Sequence, residues 1–169
     1  MKQMTTLATA ISLALISSTA LAATAKVEFK NPDDYRDIEA VNERQSSFQE
    51  QLFAGLTEHF EMLAAKLPEG NTLSITVTDL DITGRVEPTY GQGGAAYMRI
   101  VDRIDYPRIE FNYQYSDSSG AVLSEESVNL RDLGAHQTMR AAKESGRDEL
   151  YYEKELLNDW FRDTFERTN

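Results

Sequence analysis

The chain has 169 residues, no cysteine, and 28 acidic against 17 basic side chains, for a formal net charge of -11. A domain of roughly 150 residues buries about two thirds of its unfolded surface, so this length supports a core without disulfides or a structural metal. The composition excludes a disulfide-stapled scaffold and thiolate chemistry. Because the acidic excess repels a phosphate backbone, we predict no nucleic-acid partner.

The first 22 residues have the pattern of a secretory signal peptide. Lys2 precedes an apolar run over residues 7–16, and Ala20 and Ala22 form an A-x-A site. The run is shorter than the about 20 residues of a membrane span, and no cysteine follows for lipid attachment. We predict that residues 1–22 are cleaved, leaving a soluble single domain over residues 23–169 with no membrane anchor.

The first part of this domain predicts a strand followed by a helix. Residues 26–30 alternate apolar and charged side chains, as short strands do. Beyond them, apolar side chains recur every three or four residues, which places them on one face of a helix: Phe48, Leu52, Leu56, Phe60, Leu63 and Leu67. Ser47 and Glu50 match a capping box at its start. His59 lies beside this face, as an ordinary boundary histidine does.

The next segment alternates with a period of two but changes parity. Apolar residues occupy odd positions over residues 73–77 and even positions over residues 80–82. A shift of one residue turns side chains to the other face of a sheet. We therefore predict a β-bulge near Thr78 and Asp79, or, in an unbroken strand, an inward-pointing Asp79.

The remaining segments predict a hairpin loop, further strands and a final helix. Residues 90–96 are glycine-rich and read as a flexible loop, since they lack the lysine and following helix of a phosphate-binding loop. Strand patterns follow over residues 97–104, 109–115 and 122–130. Residues 132–147 give no firm assignment, whereas residues 148–166 have an apolar arc typical of an amphipathic helix.

This order of elements predicts an α+β fold. We expect an antiparallel sheet of about four to five strands packed against two amphipathic helices in a two-layer sandwich. The aromatic row of Phe111, Tyr113 and Tyr115 is expected under a helix rather than on a ligand-stacking platform. The threonine, serine, glutamate and asparagine residues at alternate positions predict that the other face of the sheet is solvated.

Several segments of the chain resemble a known bacterial family. They read LSITVTDLDITGRVEP, MRIVDRIDYPRIEFNYQY, DSSGAVLSEESVNLRDL and YYEKELLNDWF. As a set they resemble the family called domain of unknown function 3016, over residues 27–165, although Tyr106 stands where family members usually carry tryptophan. The resemblance implies export by a Gram-negative bacterium, and hence a periplasmic protein. It implies no established activity, substrate or cofactor.

Asp79 and Asp81 are the most specific candidates for a functional site in the sequence. Two residues apart on an extended strand, their carboxylates share a face, close enough to share a proton or bind a hard cation. The spacing of a calcium-binding loop is absent. The alternative is that these carboxylates line a strand end and pair with arginines: Arg85, Arg99 or Arg103.

Glu153 falls inside the apolar arc of the final helix, so we expect it to be buried. A buried carboxylate requires a cationic partner, and a guanidinium can bind it bidentately. The candidates are Arg85, Arg99, Arg103 and Arg108. The alternative is a partly solvated Glu153 in the first helical turn, stabilised only by the helix dipole.

The sequence favours a non-enzymatic binding or interaction module with an unknown periplasmic protein or small-ligand partner. His59 and His136 are the only histidines, and no hydrolase, zinc-protease or nucleotide-binding motif occurs. We predict no catalytic, cofactor or metal residues, and a polar cluster worth testing: Asp79, Asp81, Arg85, Arg103 and Glu153. The alternative is a small carboxylate-dependent hydrolase or metal-binding protein centred on Asp79 and Asp81. If the protein is a hydrolase, we expect a pocket with converging carboxylates. If it is an interaction protein, we expect an exposed polar sheet face or apolar patch.

Overall fold

The computed structural model describes residues 22–91, 94–101, 106–132 and 144–167, and the fold is α+β. Within these residues we name two helices, α1 and α2, and six strands. In chain order the elements are β1 (Thr24–Phe29), a 3-10 turn (Pro32–Asp34), α1 (Gln45–Ala64), β2 (Thr72–Asp81), β3 (Arg85–Gly91), β4 (Gly94–Ile100), β5 (Arg108–Ser116), β6 (Val122–Arg131), α2 (Tyr151–Phe161) and a π-helical turn (Arg162–Glu166).

The strands form a four-stranded sheet in the order β1-β2-β5-β6 and a separate two-stranded hairpin, β3–β4. The expectation of a wholly antiparallel sheet is wrong at β1, which pairs parallel with β2. The intervening helix α1 returns the chain to the end where it started, so the second strand runs in the same direction. The strand expected over residues 97–104 is also outside the main sheet, because β4 pairs with β3.

The predicted bulge in β2 is confirmed. Val77 pairs with Phe111 and Asp79 pairs with the preceding residue, Glu110, which leaves Thr78 as the extra residue. Val77 and Leu80 are therefore both fully buried although they differ in parity. The same bulge places Asp79 on the opposite face of the sheet from the core.

Two local expectations are wrong. The glycine-rich segment is largely strand, since Tyr90 lies in β3 and Ala96 in β4, while residues 92–93 lie outside the described part. The capping box is absent because α1 already begins at Gln45. Instead, the Gln45 side chain accepts the N–H of Ala40 at 2.9 Å and donates to the carbonyl of Ile38 at 2.5 Å.

The core lies between one face of the sheet and both helices. Phe60 of α1 and Trp160 of α2 each contact the ring of Phe111 edge-on, at centroid distances of 5.8 and 4.9 Å. The predicted burial of the aromatic row is confirmed, because its three members are at most 9% exposed. Both helices therefore pack against the same face.

Gly84, in the corner between β2 and β3, is a conformational requirement of the fold. Its φ is +86°, and a Cβ there would lie 2.8 Å from the carbonyl oxygen of Ile100. Gly120 has the same φ but has no atom within 4 Å of such a Cβ.

We expect Gly120→Ala to cost about 1–2 kcal/mol of stability for backbone strain. Gly84→Ala should cost about 1–3 kcal/mol more, since overpacking adds to strain. Urea unfolding of both variants measures the difference, and equal costs would contradict the close approach at Gly84.

Candidate functional site

The face of the sheet opposite the helices is lined by polar side chains, and we call this surface the open face. Two rows of paired residues cross all four strands. They are Lys26, Ser74, Gln114 and Glu125, and Glu28, Thr76, Asn112 and Ser127. Ser127 donates from its hydroxyl to Asn112 Oδ1 at 2.6 Å, and the Gln114 amide donates to Glu125 Oε2 at 3.2 Å. A shallow depression of about 600 Å³ lies over the middle of this surface.

Asp79 and Asp81 extend the open face at the far end of β2. In register, Asp79 lies beside Glu110 and Asp81 beside Arg108. Asp79 forms an ion pair with Arg36, whose Nε lies 3.5 Å from Asp79 Oδ2. Arg108 also contacts the Glu110 carboxylate. Asp79 therefore pairs with Arg36, which is not one of the predicted arginines, whereas Arg108 pairs with Glu110.

The pKa of Asp81 is raised above its usual value. Burial is the main cause, and the carboxylates of Asp37 and Asp79 add to it. The cations of Arg36 and Arg108 oppose the shift. Within the described ranges, no group of three or more potential ligands could hold a metal ion. The charges of Asp79 and Asp81 therefore repel each other. No third acidic or histidine side chain of the described residues completes a metal site with them.

The other predicted site residues do not join this pair. Arg85 lies in the β3–β4 hairpin, where its Nε is 2.5 Å from Glu87 Oε1. Arg103 and His136 lie outside the described residues. Glu153 is on α2, beneath the opposite face of the sheet. The predicted cluster is thus divided, and its described members on the open face are Asp79 and Asp81.

Glu153 is fully buried, so the alternative of a partly solvated residue is wrong. The backbone N–H of Thr83 donates to Glu153 Oε1 at 2.6 Å, while Oε2 has no hydrogen-bond partner among the described residues. Burial raises the pKa of Glu153, and the Thr83 amide and the charge of Arg99 oppose that rise only in part. The expected bidentate arginine is not found among the described residues. A backbone amide takes its place because the β2–β3 corner is directed at the first turn of α2.

Arg99 is the described cation whose charge acts on Glu153, but its guanidinium bonds elsewhere. It donates to the carbonyls of Gly84 and Glu39, both at 2.7 Å, and to that of Asp37 at 3.2 Å. Its charge also lies 5.9 Å from the centre of the Phe48 ring. Arg99 therefore fastens the β3–β4 hairpin to the segment before α1. Sequence periodicity could not reveal this role, since all three acceptors are backbone atoms.

A second concave region lies between α1, α2 and the β3–β4 hairpin. It has a volume of about 480 Å³, and its lining includes Phe48, Leu52, Ile82, Arg99 and Leu150. Neither Glu153 Oε2 nor the Thr83 hydroxyl has a hydrogen-bond partner in the described part of the chain, and both atoms are sealed from solvent. A molecule in this groove would not reach them, so they belong to the packing between α2 and the β2–β3 corner.

Comparisons with known proteins give a family and a distant similarity to a solved structure. A family model described as "Protein of unknown function (DUF3016)" matches residues 23–163. No curated protein matches the sequence. Among solved structures, a minor lipoprotein from Acinetobacter baumannii is similar over 83% of this chain and 87% of its own, with 14% identity and a TM-score of 0.24. None of the described helices is long and apolar enough to cross a membrane.

Proposed function

Because the chain belongs to the family described as protein of unknown function (DUF3016), whose description gives no activity, we propose a function from its surfaces. The protein is an exported, soluble periplasmic module that binds a partner through the open face and catalyses no reaction. The observation that carries this proposal is the polar surface across β1, β2, β5 and β6, which no described helix covers.

The shape and chemistry of the open face suit a broad partner surface. Its depression is shallow and polar, whereas small-molecule sites are concave and mostly apolar. Side chains on neighbouring strands are held by the sheet and by their own hydrogen bonds, as between Asn112 and Ser127. Ordering them on binding therefore costs little conformational entropy. In the two-layer arrangement that we propose, both helices cover the other face and leave this one free.

Placing a cationic side chain on the open face provides the test. We expect mature protein carrying Asn112→Arg to lose capture of a periplasmic partner that the wild type retains. Glu58→Arg is the matched control, because Glu58 is exposed on α1, on the helical side. Asn112 is also exposed, so neither change should disturb the core. Loss of capture by both variants, or by neither, would contradict the proposal.

A second proposal is the carboxylate-dependent hydrolase or metal-binding protein centred on Asp79 and Asp81. Their shared face and the raised pKa of Asp81 support it. Titration of wild type and Asp81→Asn with Ca²⁺ or Mn²⁺, followed by calorimetry, tests the metal version. Saturable heat in the wild type that disappears in the variant would favour this second proposal over the first.

Export makes a separate prediction about the mature amino terminus. The signal-like pattern of residues 1–22 ends just before β1, which begins at Thr24. We expect periplasmic protein to begin at Ala23, because signal peptidase cleaves after the small residues of the A-x-A site. Intact mass and amino-terminal sequencing measure this directly, and recovery of Met1 in the exported fraction would contradict it.

A further inference from the structure

Strand β6 forms an open edge of the four-stranded sheet. Its ten residues, Val122–Arg131, pair with β5 on one side, and no other described strand pairs with them. An edge strand presents unpaired backbone N–H and C=O groups, which are a template for another strand. Seven of its ten residues, including Glu125 and Glu126, are exposed. The described helices therefore leave this edge accessible.

The middle of this edge carries two glutamates that form no ion pair with a described cation. Glu125 pairs with Gln114 and points to the open face, whereas Glu126 pairs with Tyr113 and points to the helical side. Within the described part of the chain, neither carboxylate lies within ion-pair distance of a cation. Glu125 accepts the side-chain amide of Gln114 at 3.2 Å. Opposite charges directly across two strands stabilise their pairing, and like charges oppose it.

We propose that the β6 edge binds an extended segment of the partner that carries two adjacent cationic residues. This inference rests on the proposed binding function and names the partner's chemistry. The segment adds as a fifth strand beside β6, and its main chain bonds to the free edge. Adjacent residues of a strand point to opposite faces. Two neighbouring lysines or arginines can therefore meet Glu125 and Glu126 at the same time.

Charge selects this occupant over a second copy of the chain. Every copy carries the same two edge carboxylates and a formal net charge of -11. Pairing of β6 with itself brings these like charges together, which is how many edge strands avoid self-association. A cationic segment is instead attracted by the acidic protein at long range and by the two glutamates at contact.

A designed peptide tests the inference without knowledge of the natural partner. The probe is a blocked octapeptide, TVTKKTVT, titrated into mature protein at low salt, with TVTEETVT as its acidic counterpart. We expect TVTKKTVT to increase the hydrogen-exchange protection of β6 amides, whereas TVTEETVT should not. The double variant Glu125→Gln/Glu126→Gln should weaken binding about threefold to tenfold, as loss of two cross-strand charge pairs predicts.

The control variant is Glu58→Gln/Glu61→Gln, which removes two exposed acidic side chains from α1, on the helical side. It should leave the affinity for TVTKKTVT unchanged. Equal weakening by this control, or binding without protection of β6, would show general attraction to an acidic protein and overturn the inference. If the open face captures a partner but β6 gains no protection, the inference fails and the proposed function stands. If β6 binds the peptide but Asn112→Arg leaves partner capture intact, the proposed function fails instead.

Discussion

Replacing Trp160 by alanine is expected to lower the free energy of unfolding by about 3–5 kcal/mol, since large-to-small changes in a core lose both burial and packing. Trp160 is 7% exposed and contacts five neighbouring rings edge-on. These rings belong to Phe60, Phe111, Tyr113, Phe161 and Phe165. Because a domain of this kind has a net stability of about 5–15 kcal/mol, such a loss removes much of it.

Urea unfolding followed by circular dichroism measures this effect. Tyr97→Ala is the matched control, because Tyr97 is an aromatic residue of the β3–β4 hairpin that is 54% exposed. Its removal should change stability by about 0.5 kcal/mol or less, as for most surface substitutions. Similar losses for the two variants would contradict the position of α2 on the core face.

Replacing Glu153 by alanine is expected to cost about 3 kcal/mol. The change leaves the buried N–H of Thr83 without its acceptor and opens a cavity, and each effect is destabilising. Glutamine keeps an oxygen for the Thr83 amide and carries no buried charge. Glu153→Gln should therefore stay within about 1 kcal/mol of the wild type. A cost of about 3–5 kcal/mol for glutamine would instead indicate a stranded arginine.

The pH dependence of the stability of Glu153→Gln, compared with wild type, shows whether the buried charge of Glu153 destabilises the folded state. Burial raises the pKa of Glu153, so the folded state holds this proton more tightly than the unfolded state. Its contribution to stability is full below the unfolded pKa, about 4.3, and is lost as pH rises through the raised folded pKa. The glutamine variant should gain stability relative to wild type between pH 4 and pH 8. A difference independent of pH would contradict the raised pKa.

His59 changes the pH dependence of wild-type stability in the opposite direction. Its effect cancels when wild type and Glu153→Gln are compared. Burial and the charge of Lys154 lower the pKa of His59, and it is 6% exposed. The unfolded chain therefore binds this proton more readily, and stability falls as pH drops below about 6.5. Since His59 is present in both proteins, it contributes equally to wild type and Glu153→Gln. The difference between their curves reports Glu153.

Side-chain periodicity predicted the features that depend on which way a residue faces. The parity change located the bulge at Thr78, and the helical arc predicted the burial of Glu153. Periodicity carries no information on which strands pair or in which direction. For this reason the parallel pairing of β1 and the separate β3–β4 hairpin were not anticipated.

The candidate site was predictable only where side chains define it. Alternating polar residues indicated a solvated sheet face, and the structure places them on the open face. The partner of Glu153 is the backbone amide of Thr83, and the partners of Arg99 are backbone carbonyls. Because every residue carries such groups, composition and spacing could not identify them. The position of β6 at the sheet edge likewise depends on long-range pairing.

Site-specific photo-crosslinking in the exporting cell tests partner binding by the open face most directly. A photoreactive phenylalanine analogue is placed at Asn112, at Ser127, or at Glu58 on α1, all of which are exposed. We expect Asn112 and Ser127, which are paired across β5 and β6, to give an adduct of the same partner, and Glu58 to give none. Adducts at Glu58 without any at the two open-face positions would contradict the proposed function.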